Sequence, residues 1–134
     1  VNAAALALKA AIHARLATDA ALLALIPATR LLDRAPQGTP MPFLLHGPVR
    51  SEDLSTGAER LAEHLLTLEV WADAAGQKQA LTVAERIEAL LDDQPLALTG
   101  VTLVSLTLRS TRLRREARAR AVVAEMVFRA VTEG

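Results

Sequence analysis

From residue 122 to residue 131 the chain alternates two classes of side chain without a break. Val122, Ala124, Met126, Phe128 and Ala130 take one parity, and Val123, Glu125, Val127, Arg129 and Val131 the other. Successive side chains of a strand point to opposite faces, so this run predicts a strand with one apolar and one mixed face. Its β-branched residues favour that state. Such a strand has to pair with others and bury its apolar face under a second layer, which restricts the chain to sheet-containing folds.

The same period recurs. Leu66, Leu68 and Val70 alternate with Thr67, Glu69 and Trp71, and residues 102–112 set Val104, Leu106 and Leu108 against Ser105, Thr107 and Arg109. Residues 43–46 read as a further strand, which Pro42 and Pro48 confine to a sheet edge or a strand end. Leu31 and Leu32 suffice only for a minor strand. Residues 49–58 are polar and read as a mobile loop between two strands. Residues 112–120 read as a basic connection.

Helical spacing appears in two long segments. Over residues 3–17, Leu8, Ile12 and Leu16 repeat every four positions with Ala5 beside them. Over residues 76–93, Ala80, Ala84, Ile87 and Leu91 form a stripe widened by Leu81, Val83 and Leu90. Asp19 is placed to cap a short helical turn over residues 20–25, which Pro27 ends. Between Pro27 and Pro48 the density of Pro and Gly excludes regular helix.

The order helix, strand, strand, helix, strand, strand predicts one domain over residues 1–134, of α+β class. The expected architecture is a two-layer, mainly antiparallel four-stranded sheet with two main helices on one face. The opposite face mixes Thr, Ser, Glu and Arg with Trp71, Val123, Val127 and Val131. A half-apolar outer face of that kind suits an oligomer interface.

Several chemistries are disfavoured. The chain has no Cys, so disulfides, thiolate metal sites and Cys nucleophiles are excluded. His13, His46 and His64 lie on separate segments, HExxH is absent, and no metal site is expected. The serines lack a nucleophile elbow, and the scattered glycines form neither GxGxxG nor a Walker pattern. No catalytic residue, cofactor or metal is therefore assigned. Aromatics are only 2% of residues, too few for a base-stacking module. The N-terminal apolar run lacks the basic segment of a signal peptide, and nothing approaches the roughly 20 apolar residues of a membrane span.

Charge is balanced, with 15 basic and 15 acidic residues. One local excess stands out: Arg109, Arg112, Arg114, Arg115, Arg118 and Arg120, offset only by Glu116. These arginines suit DNA phosphates or bidentate pairs with carboxylates of a neighbouring subunit. Zero net charge and the shortage of aromatics favour the second reading.

Five blocks carry a resemblance. The run from Leu31 to Leu45, with Asp33, Pro36, Pro42 and Phe43 at its fixed positions, resembles a signature segment of a small family. His64-Leu65-Leu66-Thr67-Leu68-Glu69-Val70-Trp71 resembles that family's "H-x-L-x-V-W" strand. Gly76, Lys78, Ala80 and Ile87 resemble its next helix, and Leu103–Leu106 and Arg129-Ala130 its final strands. The family, DUF3168, comprises tail-completion or tail-terminator proteins of long-tailed phages and gene transfer agents. The Ala- and Arg-rich composition resembles its gene-transfer-agent branch. Leu32 departs from the pattern, which has an aromatic residue there.

The resemblance implies a structural virion protein and no enzyme. It implies a homo-oligomer, a hexameric ring at the head-proximal end of the tail. The ring would stop the tail tube and meet a head-completion or stopper protein, with DNA passing through its lumen without sequence-specific binding. Its place would be the virion or gene-transfer-agent particle, assembled in the bacterial cytoplasm and without a membrane partner. A ring closes through unlike faces of one subunit. The expected sources of contact are Pro42 and Phe43 on the Pro-bounded edge, Arg50, Glu52 and Asp53 in the loop, and Arg112, Arg114, Arg115 and Arg118 in the basic hairpin. The alternatives are a head–tail stopper or adaptor ring, a small DNA-binding module using the arginines, and an enzyme with an unrecognised site.

Overall fold

Where the chain carries helical spacing it forms helices. The computed structural model describes all residues, 1–134. It places α1 at Asn2–Ala17, α2 at Ala20–Leu25 and α3 at Gln77–Leu91, with one 3-10 turn at Ala28–Arg30. The buried stripe of α1 is Ala4, Leu8, Ile12 and Leu16. That of α3 is Ala80, Val83, Ala84, Ile87, Leu90 and Leu91, and Leu81 lies outside it.

The strands are β1 (Leu31–Leu32), β2 (Phe43–Asp53), β3 (Leu61–Asp73), β4 (Thr102–Glu116) and β5 (Ala121–Glu133). They form one sheet in the order β1-β2-β3-β5-β4. The fold is α+β with two layers, as expected, but has five strands where four were expected. The fifth is the two-residue β1, which pairs parallel to Leu44 and Leu45. Hairpins join β2 to β3 and β4 to β5, and antiparallel β3 and β5 make the centre.

Three boundaries differ from the sequence reading, each for a local reason. Residues 49–53 are strand and not loop. The chain passes Gly47 and Pro48 through an irregularity between His46 and Val49, where a proline costs no ladder bond. A Cβ at Gly47 would sit 3.2 Å from the Thr67 side chain, a tight contact that would oblige Thr67 to give by a few tenths of an ångström. Residues 112–116 belong to β4 and not to the connection, which shrinks to a tight turn that Arg120 closes at φ 51°. Register shifts in β4 between Leu103 and Ser105 and between Leu108 and Ser110 break the expected alternation, leaving Val104 57% exposed.

The inner face of the sheet supplies Leu44, Leu66, Leu68, Val70, Leu106, Ala124, Met126 and Phe128 to a core shared with all three helices. Polar contacts tie the helices together. Asp19 accepts from the Leu22 N–H at 2.8 Å as the N-cap of α2. The same carboxylate receives Arg86 Nε and Nη2 at 2.8 and 2.7 Å. The Arg86 guanidinium and that N–H hold Asp19 well below the ordinary carboxylate range, at about 2. Arg15 Nε donates to the Leu90 carbonyl at 2.9 Å, satisfying an acceptor that the end of α3 leaves unpaired.

Two polar side chains, His64 and Thr132, are buried within the inner layer. His64 is fully buried, its Nδ1 2.7 Å from Ser51 Oγ and its Nε2 3.0 Å from Thr132 Oγ1. Both ring nitrogens are satisfied, as a buried imidazole requires. Burial holds its pKa below the ordinary 6.5, and burial likewise lowers His46.

The core and its histidine can each be tested through stability. Phe128→Ala should cost about 3–5 kcal/mol, measured by denaturant unfolding, because the ring is fully buried between sheet and helices. Burial disfavours the charged form of His64 in the fold, while in the unfolded chain the imidazole takes up a proton below about pH 6.5. Stability is therefore complete above that pH and declines as pH falls through it. The melting temperature should drop between about pH 7.5 and 5.5, and His64→Gln should flatten part of that slope. An unchanged slope in the variant would contradict this effect of burial.

Candidate assembly surface

The parity of the strands decides what the outer face of the sheet presents. Phe43 and Leu45 of β2, Leu65, Thr67, Glu69 and Trp71 of β3, and Val123, Glu125, Val127, Arg129 and Val131 of β5 share it. Arg112 and Arg114 of β4 join them, opposite Glu125 and Val123. No helix covers this face. Apart from Phe43 and Val123, these β2, β3 and β5 residues are only partly buried, while Arg112 is exposed.

At one end of the face an aromatic and ionic cluster forms. Phe43 stacks on Trp71, with centroids 5.5 Å apart and planes inclined by 11°. The Arg114 guanidinium lies 5.7 Å from the Trp71 ring centre, in cation–π contact. Trp71 Nε1 donates to Glu69 at 3.0 Å, and Arg114 donates to Glu69 at 3.3 Å and to Glu116. Glu125 stands 3.9 Å from the same guanidinium. Arg114 is thus occupied within its own subunit. Farther along the face, Arg129 donates to Glu63 at 2.6 Å.

Six of the nine sequence-assigned residues fall into two groups. Phe43, Arg114 and Arg118 gather at the aromatic end. Arg118 lines, with Met41, Phe43, Leu45 and Trp71, a cleft of about 470 Å³. Arg50, Glu52 and Asp53 lie at the opposite end, where β2 turns into β3. Arg50 pairs with Glu52 at 2.8 Å, and Asp53 accepts from the Ser55 N–H at 2.8 Å. Pro42 precedes β2 by a cis bond from Met41. Arg112 and Arg115 are exposed along β4.

The expected edge at Pro42 and Phe43 is displaced. β1 pairs with Leu44 and Leu45, so the free edge of β2 lies beyond Leu45, in the half that carries Arg50, Glu52 and Asp53. The other free edge is β4. The loop after α3 covers part of it, because Asp93 N–H donates to the Leu106 carbonyl and Asp92 accepts from the Leu108 N–H, both at 2.8 Å. The arginine-bearing half of β4 beyond Leu108 stays open on its outer side. The sequence placed Trp71 and Glu69 on the outward parity of a strand and read that half-apolar face as suited to an oligomer interface, but gave neither residue a contact role of its own.

The remaining polar constellations suit packing better than chemistry. Ser51, His64 and Thr132 align as hydroxyl, imidazole and hydroxyl, without the carboxylate that orients a catalytic histidine, and the imidazole has no exposure. His13 Nδ1 and His46 Nε2 are 3.4 Å apart across α1 and β2. No group of three or more His, Asp or Glu side chains is placed to hold a metal ion. No helix is long and apolar enough to cross a membrane.

Comparison with known proteins agrees with a structural surface. Residues 10–133 match the family model of the tail completion protein gp17. A chain in a solved structure of the virion of a native gene transfer agent (GTA) particle superposes with a TM-score of 0.86. It is 33% identical, and the match covers 97% of each chain. No curated protein matches. The family is one of structural tail proteins and not of enzymes, and on a match spanning nearly its whole length this chain belongs to the tail completion protein gp17 family.

Proposed function

We propose that the chain forms a ring that ends the tail tube and joins it to the head-completion proteins, with DNA passing through the lumen. The observation that carries this reading is family membership over residues 10–133. The solved relative, a chain of a gene-transfer-agent virion, supports a place within such a particle.

The geometry supplies a means of assembly. A closed ring of identical subunits needs two unlike surfaces on each copy. This subunit carries two unlike free edges, the outer half of β2 with Arg50, Glu52 and Asp53, and the distal half of β4 with Arg112 and Arg115. Open edges are natural sites of contact between chains. Six copies is the number the family resemblance implies.

A conduit must let DNA slide. The chain has a formal net charge of zero. Arg114 is taken up by Glu69 and Glu116, and Arg129 by Glu63. Arg114 and Arg129 are therefore not free to hold DNA phosphates, and phosphate affinity depends on the number of free cations.

Deleting the gene from its particle should give tails of uncontrolled length or particles lacking joined heads, seen by electron microscopy. Normal particles would refute the role. The purified protein should show no salt-sensitive binding of duplex DNA at about 0.15 M salt. Binding there that Arg112→Ala with Arg115→Ala abolishes would instead favour a DNA-gripping module.

A further inference from the structure

The two ends of the outer sheet face are unlike in a way that fits one to the other. At the aromatic end, the cleft of about 470 Å³ is floored by Phe43, Leu45 and Trp71 and walled by Met41 and Arg118. One lining residue, Arg118, is a cation, and Arg34 and Arg120 adjoin the lining residues Ala35 and Ala119 in the chain; all three are exposed and have no ion-pair partner. At the far end, the β2–β3 hairpin presents Leu54, a large apolar side chain 38% exposed. Glu52 and Asp53 precede it and Glu59 lies opposite Thr56 in the same turn; these three exposed carboxylates outnumber the two arginines beside them, Arg50, which pairs with Glu52, and Arg60.

These features cannot meet within one subunit. Leu61 and Trp71 bracket most of β3, and ten residues of extended chain span about 33 Å. An apolar tip flanked by acids and an apolar cleft lined by Arg118 are complementary in shape class and in charge.

We propose that Leu54 of one copy seats in the Phe43–Trp71 cleft of the next copy of this chain, with Asp53 and Glu59 meeting Arg118 and Arg120. The contact is heterologous: each copy gives a tip and receives one. It rests on the ring reading above and names the surfaces through which that ring would close. It also gives the aromatic cluster a purpose. Glu69 and Arg114 hold the indole of Trp71 by its Nε1 and its face, which keeps the cleft floor flat and open before a partner arrives.

The absence of cysteine makes the test direct. Leu54→Cys and Ala119→Cys, introduced together, put one thiol on the tip and one on the cleft wall. Mild oxidation should give a ladder of disulfide-linked oligomers on a denaturing gel. A mixture of the two single variants should give dimers only, and each single variant alone should stay monomeric. A double variant that stays monomeric, or Leu54→Cys that cross-links by itself, overturns the proposal.

Trp71 is the one tryptophan in the chain, so its emission reports the cleft. Assembly should shift that emission to the blue. Leu54→Asp should abolish the shift or raise the protein concentration needed by roughly tenfold or more. Arg118→Glu should weaken it, and Asp53→Arg in the partner copy should restore it. An unaltered shift in Leu54→Asp also overturns the contact. Negative-stain microscopy separates the two readings. Rings without the ladder would leave the ring standing and sink this contact, while a ladder that grows into open filaments would keep the contact and sink the ring.

Discussion

The pairing of β3 with β5 is the constraint on which the rest depends. It runs from Leu61 opposite Glu133 to Asp73 opposite Ala121 with no bulge. An unbroken register keeps every side chain of both strands on its assigned face, since a slip of one residue would exchange the faces. Phe128, Met126 and Leu68 thereby point into the helices, while Trp71, Glu69 and Arg129 point away. The irregularities that the fold needs are exported to its neighbours, the bend at Gly47 and Pro48 in β2 and the two shifts in β4. Those outer strands are where the sheet remains open to another chain.

The two faces solve different problems. The inner face buries apolar surface under α1, α2 and α3, and the helices are clamped by Asp19 with Arg86 and by Arg15 on the Leu90 carbonyl. The outer face has no helix over it and is stabilised laterally, by Phe43 on Trp71 and by cross-strand pairs of Arg114 and Arg129 with glutamates. Partly exposed pairs of this type contribute little each to stability. Their larger effect is to use up charge. A face built this way is firm, nearly neutral and half apolar, which suits a subunit that works by fitting against others. Tail completion is a task of that kind and requires no reacting group.

The alternation of Val122 to Val131 and of Leu66 to Trp71, with the four-residue spacing of Leu8, Ile12 and Leu16, was enough to determine the strands, the helices and the α+β class. Composition without cysteine, glycine loops or nucleophile elbows left no catalytic motif to recognise. The Asp33–Phe43 and His64–Trp71 blocks pointed to the family. Such features are local: they depend on backbone periods and on short ordered runs, which a single chain displays directly. What only the tertiary structure decided depends on residues far apart in sequence. β1 against Leu44 and Leu45 moved the free edge of β2 from Pro42 to the Arg50–Asp53 half, and bulges lengthened β2 and exposed Val104. Folding sorted the arginine cluster into Arg114, which is neutralised by Glu69 and Glu116, and Arg112, Arg115 and Arg118, which stay exposed. His64 proved fully buried because Ser51 and Thr132, at 13 and 68 residues' remove, supply its partners. Side-chain neutralisation and burial are set by register between strands, and register is a property of the assembled sheet.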